Sequence, residues 1–308
     1  MLPSGITVLE RGWLSSNNVI LHGATPEEGA VLIDTGYATH ADQTLELVHS
    51  AVSPGETVRL IANTHLHSDH CGGNAALVEK YGCPIHIPPG EFEAASSWDE
   101  AALSFKATGQ RCARFTPAGK LLPGRTLHQG DREWRIHAAP GHDPHSVILF
   151  EPGSRTLISA DALWEKGFGI VFPELDGTDA FDEVDATLDL IEELSPALVI
   201  PGHGEPFQAV AAALQLSRSR LAHYRRHPDR HAASAIKALM VFHMLETQRC
   251  SRVELNQWLD HTPIATRMRE RYWPTLDTHE WSSRLVAELI QAGTLWQPAE
   301  HLFAARVK

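Results

Sequence analysis

The chain contains no apolar run approaching the roughly 18 residues that a bilayer-spanning helix needs, so no membrane span is expected. Its first residues, MLPSGITVLERGW, lack a basic start followed by an apolar stretch, so no signal peptide is expected and a cytoplasmic location is the default. Cysteine is scarce. Cys71, Cys83, Cys112 and Cys250 form no C-x-x-C pair and no zinc-finger spacing, which predicts four free thiols rather than a disulfide framework or a thiolate metal site. Positive charge is also short. A formal net charge of −12 argues against strong non-specific binding of nucleic acid, which needs a cationic surface.

What the chain does have is histidine, 19 in 308 residues, and enough apolar residues, 43%, to bury a sizeable core. The length suits one large or two medium domains. The charge is unevenly spread. Residues 1–206 hold 12 Lys+Arg against 29 Asp+Glu, a net −17, and residues 207–308 hold 14 against 9, a net +5. This asymmetry predicts a boundary there, with domains 1–206 and 207–308.

The first half reads as short β-branched runs stopped by turn residues. Val19–Leu21, Ala30–Ile33, Val58–Ala62 and Ile85–Ile87 are expected strands, with helices over His40–Ala51 and from Gly72–Asn74 to Tyr81. The pattern resumes with strands over Arg132–Ala138, Ser146–Phe150, Thr156–Ser159 and Ala197–Ile200, and a helix over Ala180–Leu194. Two β-rich segments that each bracket helices suit an α+β or αββα arrangement rather than a regular βαβ repeat. Beyond Pro206 the texture turns helical, over Gln208–Tyr224 and Ala232–Leu245. A capping box, Ser251-x-x-Glu254, is followed by a stripe at Trp281, Leu285 and Leu289, a stop at Gly293, and two short β segments, Leu295–Trp296 and Leu302–Ala304. Three helices and a small hairpin resemble a winged helix.

The central feature is His65-Leu66-His67-Ser68-Asp69-His70, four donors within six residues just after a buried strand. In an extended stretch His65 and His67 point to one side and can grip one ion. Asp69 and His70 lie where the chain turns into a helix and can face a second. Further candidates sit at later strand ends: His142 in Pro140-Gly141-His142, Asp161 in Ser159-Ala160-Asp161, and His203 in Pro201-Gly202-His203. Imidazole and carboxylate donors gathered from several loops suit a catalytic metal centre better than a structural one. His22, His40, His49, His86, His128, His137, His223, His243 and His261 are assigned no role.

In the order and spacing of five motifs, Asp34, His65-x-His67-x-Asp69-His70, His142, Asp161 and His203, residues 6–206 resemble the metallo-β-lactamase superfamily. The resemblance implies a four-layer αββα sandwich, followed here by a smaller, mainly helical, winged-helix-like domain. It implies two divalent ions, zinc by default with iron or manganese as alternatives. His65, His67 and His142 would hold one, Asp69, His70 and His203 the other, with Asp161 bridging and Asp34 supporting from outside. A bridging hydroxide would attack an ester, thioester or lactone, with Asp69 managing the proton.

The substrate is less constrained, because fold does not choose it. Lactonase members carry Tyr three residues after the bridging Asp, where this chain has Trp164. Thioesterases similar to glyoxalase II have a longer stretch after the third histidine motif than Asp143-Pro144-His145-Ser146, and His145 is a candidate catalytic or pocket residue there. The tail resembles that of the β-lactamase-like-protein-2 group, some members of which cleave single-stranded RNA. Arg218, Arg220, Arg225 and Arg226 crowd one helix and are candidates to meet an anionic leaving group such as coenzyme A or glutathione, or an RNA backbone. A small-molecule hydrolase is the leading expectation and a phosphodiesterase or endoribonuclease the first alternative. An iron-dependent oxygenase, or a metal-sensing DNA-binding regulator using Arg267, Arg269 and Arg271, is the next. Trp258, Trp273, Trp281 and Trp296 are either tail core or a homodimer surface.

Overall fold

The computed structural model describes residues 2–298 and 301–304, with side chains of 302–304 left aside. Two sheets form the frame. The first holds β1 (Ile6–Leu9), β2 (Asn18–Leu21), β3 (Ala30–Ile33), β4 (Val58–Ala62), β5 (Ile85–Ile87) and β6 (Gly119–Lys120), in that order. The second holds β7 (Thr126–Gln129), β8 (Arg132–Ala138), β9 (Val147–Glu151), β10 (Thr156–Ala160) and β11 (Leu198–Pro201), in the order β11-β10-β9-β8-β7. Early strands pair antiparallel, while β3 with β4 and β10 with β11 pair parallel.

Side-chain alternation explains why there are four layers. Along β3, Val31 and Ile33 point between the sheets to meet Trp134, Ile136, Leu149 and Ile200. Ala30 and Leu32 point outward, onto a core shared with Val48 and Leu77 of the flanking helices Ala41–Ala51 and Asn74–Tyr81. The second sheet does the same: Ile148, Phe150, Leu157 and Val199 face Val184, Leu188 and Ile191 of helix Phe181–Leu194. Strands buried on both faces are therefore apolar along most of their length, as β2, β3, β9, β10 and β11 are. The αββα sandwich expected from the sequence is present.

The helical region holds more than the three helices and hairpin of a winged helix, and one helix, Pro263–Tyr272, beyond those expected. Its described residues form five helices, Val210–Arg226, Pro228–Thr247, Arg252–His261, Pro263–Tyr272 and Thr278–Gln291. With them is a three-stranded sheet of β12 (Cys250–Ser251), β13 (Leu295–Trp296) and β14 (His301–Ala304), in the order β12-β14-β13. The Ser251 capping box forms as read. Helix Pro263–Tyr272 was hidden by its arginines, because only Ile264, Ala265 and Met268 carry its buried face. Those arginines are engaged: Arg267 pairs with Asp176 at 2.6 Å, Arg269 donates to the Leu276 carbonyl at 2.8 Å, and Arg271 lies over the Tyr272 ring.

The four tryptophans are mostly core rather than surface. Trp281 is buried, Trp258 and Trp273 pack against the same cluster, and Trp296 is exposed. The helical region also shares its interior with the sandwich. Phe207, Leu214 and Leu221 join the core beneath helix Phe181–Leu194, and Leu175 joins the helical core. Truncating Trp281 to Ala should cost about 3–5 kcal/mol of stability, whereas Val253→Ala, at an exposed helix position, should stay within about 0.5 kcal/mol. Urea unfolding of the two variants compares them directly.

Candidate metal centre

The donors meet because the strands that carry them end at one edge of the sandwich. β3 ends at Asp34, β4 runs into His65–His70, β8 into His142, β10 into Asp161 and β11 into His203. The backbone is bent to aim them. Asp34 has φ 57° and Ala160 φ 45°, left-handed values that a non-glycine residue holds only when its surroundings enforce them. A register shift between Ile158 and Ala160 in the pairing of β10 with β11 turns Asp161 inward, as bulges do beside active sites. Ser68–Cys71 is a single helical turn that presents Asp69 and His70.

All seven expected donors are buried, and they form three overlapping triads, His65/His67/His142, His65/His70/Asp161 and Asp69/His70/His203. Within each triad the donor atoms lie within 4.8 Å of one another. Asp161 stands between the outer two, 3.5 Å from His142 Nε2, 3.4 Å from His70 Nε2 and 3.9 Å from His203 Nε2.

The hydrogen bonds behind the rings tell which nitrogens face inward with a lone pair. His142 Nδ1 donates to the Ile170 carbonyl at 2.6 Å, and His70 Nδ1 donates to Asp34 Oδ2 at 2.8 Å. Thr64 Oγ1 donates to Asp34 Oδ2 at 2.7 Å, so it accepts from His65 Nδ1 at 3.1 Å. The Thr64 amide completes the grip on Asp34 Oδ1 at 2.8 Å. Three rings thus direct Nδ1 outward to a partner and turn Nε2 inward. His65 Nε2 lies 3.1 Å from His67 Nδ1, which lies 2.7 Å from His142 Nε2. His70 Nε2 is buried without a well-aligned hydrogen-bond partner. Nitrogens converging beside carboxylates fit a cation, and the donor set of imidazole and carboxylate fits zinc or iron.

The electrostatics divide the rings and show where positive charge is favoured. Burial, with neighbouring His70, His67 and His142, holds His65 well below the usual histidine pKa. Burial and His142 bring His67 down to about 4. Burial opposes charge on His70 too, but Asp161, Asp34 and Asp69 outweigh it and raise its pKa well above the ordinary value. Burial pushes the Asp161 carboxyl up, and His70 and His203 more than reverse this, leaving it well below its usual range. Asp69 is lowered in the same way by His70 and His203.

Glycine makes room. A Cβ on Gly202 would sit 2.2 Å from Asp161 Oδ1, and one on Gly169 2.4 Å from His142 Nδ1. Beyond the motif residues, Trp13 stacks on His203 with centroids 5.3 Å apart, and Trp164 Nε1 donates to Asp161 Oδ1 at 3.2 Å. Asp143 Oδ2 lies 3.9 Å behind His67 Nε2. Trp13 has no motif to announce it; Thr64 and Asp143, each next to an expected donor, were within reach of the sequence.

His145 is not brought into this cluster. It is exposed, and its ring lies against Gly90. The four-arginine group also divides. Arg218 is tied to Asp185, Asp189 and Glu192, Arg225 to Asp182 and Asp185, and Arg226 to the Ala222 carbonyl of its own helix. Arg220 alone of the four lines the cavity over the donors. That cavity has a volume of about 300 Å³ and lies between the sandwich edge and helices Val210–Arg226 and Pro228–Thr247.

A family model for the metallo-beta-lactamase superfamily matches residues 11–203, and the chain belongs to this superfamily, whose members are typically hydrolases. The chain is 30% identical over 200 residues to a hydroxyacylglutathione hydrolase of Anaeromyxobacter dehalogenans, covering 63% of this chain and 66% of that protein, a little under two thirds of the relative. Among solved structures, a metallo-beta-lactamase family protein from Thermus thermophilus matches 99% of this chain and 100% of its own at 20% identity with a TM-score of 0.59, which speaks to fold alone. TTHA1623, solved in a di-iron-bound form, is 27% identical, with a TM-score of 0.54 over 68% of this chain and 98% of its own.

Gly202→Ala tests the packing of the site. The added methyl should displace the Asp161 carboxylate and lower the divalent metal retained per chain, read by elemental mass spectrometry, while circular dichroism stays native.

Proposed function

We propose that the chain is a metal-dependent hydrolase of a small ester, thioester or lactone, working through a dinuclear centre held by His65, His67 and His142 on one side and Asp69, His70 and His203 on the other, with Asp161 between them and Asp34 behind His70. The observation that carries the reading is the convergence of inward-facing imidazole nitrogens with two carboxylates at the floor of a compact, largely apolar cavity. Two divalent ions there would supply Lewis acidity and a water acidic enough to attack at neutral pH.

The protein's own groups do the rest. Asp34, through Thr64 and His70, fixes the tautomers that keep the inner nitrogens bare. Asp69 Oδ2 and His203 Nε2, 3.1 Å apart, would share one ion, leaving the other carboxylate oxygen of Asp69 to take the proton that the attacking water sheds. Trp13 and Trp164 shield the His203 side from solvent.

The relative named hydroxyacylglutathione hydrolase favours a thioester within this class. The volume of the cavity and the engagement of Arg218 and Arg225 by carboxylates weigh against a long RNA. Zinc is the proposed occupant; the di-iron form of TTHA1623 makes iron the competitor. We also read residues 1–206 as the catalytic domain and 207–308 as a domain that roofs the cavity.

Asp69→Ala and His67→Ala, each folded by circular dichroism, should lose at least about a thousandfold in kcat on whichever carbonyl substrate the wild type cleaves. A panel of acyl-glutathione, acyl-CoA, lactone, β-lactam and labelled single-stranded RNA identifies that substrate. Cleavage of RNA alone would overturn the reading. Dialysis against a chelator should abolish turnover, and separate readdition of zinc, iron and manganese shows which ion restores it.

A further inference from the structure

Two cavities meet at the metal-centre edge. The inner one, over the donors, is walled by Phe168, Ile170, Phe172, Leu239 and Phe242. The outer one is wider, about 810 Å³, and its rim is polar, with Glu10, Glu165, Lys166 and Glu205. Trp13, Trp164, His203 and Arg220 border both. A substrate whose scissile bond lies at the donors therefore has two differently lined spaces to fill.

Arg220 stands at that junction half-buried. Among the described residues its guanidinium has no hydrogen bond or ion pair, although Arg218 and Arg225 on the same helix are held by carboxylates. Arg11, the other arginine at the outer rim, is taken up by Asn18, Thr44 and Gln43. The fold makes space for Arg220. Gly167 has φ 124°, and a Cβ there would lie 2.3 Å from Arg220 Nη1. A partly desolvated guanidinium with free donors is a strong contact for carboxylate or phosphate. Arg220 belongs to residues 207–308, net +5, and it offers an anion a positive contact beside residues 1–206, which carry a net −17.

Resting on the hydrolase reading above, we propose that the substrate is bipartite: a compact apolar acyl group enters the inner cavity, and the leaving group carries an anion that Arg220 binds at the junction, with its remainder in the outer cleft. In the reaction the oxygen of water bonds to the acyl carbon, the bond from that carbon to sulfur or oxygen breaks, and the departing thiol or alcohol takes up a proton. Arg220 determines specificity and takes no part in the proton transfer. The inner cavity, at the small end of ligand sites, sets the size of the acyl group.

The test uses the metal-loaded full chain and three thioesters: S-phenyl thiobutyrate, its 3-carboxyphenyl counterpart, and S-phenyl monothiosuccinate, which moves the anion to the acyl side. The carboxyphenyl thioester should exceed the neutral one in kcat/KM by about tenfold or more, the worth of one charged contact. Arg220→Gln should bring that ratio to about one, and Arg220→Lys should keep part of it. A binding measurement needs no turnover. By calorimetry 3-(butyramido)benzoate should bind more tightly than butyranilide, with the difference lost in Arg220→Gln. Thioester cleavage without a carboxylate preference, or a preference untouched by Arg220→Gln, overturns the proposal and leaves the hydrolase reading standing. A preference for the monothiosuccinate places the anion on the acyl group and overturns it likewise. The expected calorimetric difference with no cleavage of any thioester keeps the anion contact and overturns the hydrolase reading instead.

Discussion

Three imidazole nitrogens, His65 Nε2, His67 Nδ1 and His142 Nε2, are crowded to 2.7 to 3.1 Å of one another along the chain of contacts, beside buried carboxylates. A fold holds them there only if its frame is stiff. Much of the sandwich edge serves that end: the left-handed Asp34, the register shift before Asp161, the single turn that presents Asp69 and His70, and glycines where any side chain would strike a donor. The Asp34 carboxylate is the centre of this frame, because one group fixes the Thr64 backbone and hydroxyl, the His70 ring and, through Thr64, the His65 ring.

The helical region supplies none of the seven clustered residues, yet it lines the space above them. It turns a rim of donors on a sheet edge into the floor of a cavity, and it contributes apolar wall and, among the described residues, one arginine without a protein partner, Arg220. Part of its positive charge meets the acidic flank of the sandwich, Arg218 and Arg225 reaching across to helix Phe181–Leu194. The charge asymmetry in the sequence is therefore in part a statement about how the two regions hold each other.

The donors and strands were legible in the sequence because both follow short-range rules. Period-two alternation marks strands, and turn glycines beside His142 and His203 mark where a strand end projects a side chain. Helix Pro263–Tyr272 was not legible, since a polar run with three small apolar contacts looks like a solvated loop. Trp13 stacked on His203, the exposure of His145 and the isolation of Arg220 were out of reach for a different reason. Each depends on which partner a distant segment brings up, and four arginines on one helix look alike until their carboxylates are in place.

The donors do not come from one sheet. His65, His67, Asp69 and His70 follow β4 of the first, while His142, Asp161 and His203 follow strands of the second. Any cation gripped by both sets rivets the two halves of the sandwich together and has no comparable site on the unfolded chain. Folding and metal supply then become one equilibrium, and the temperature at which the protein melts is a reading of the free ion around it as much as of its core.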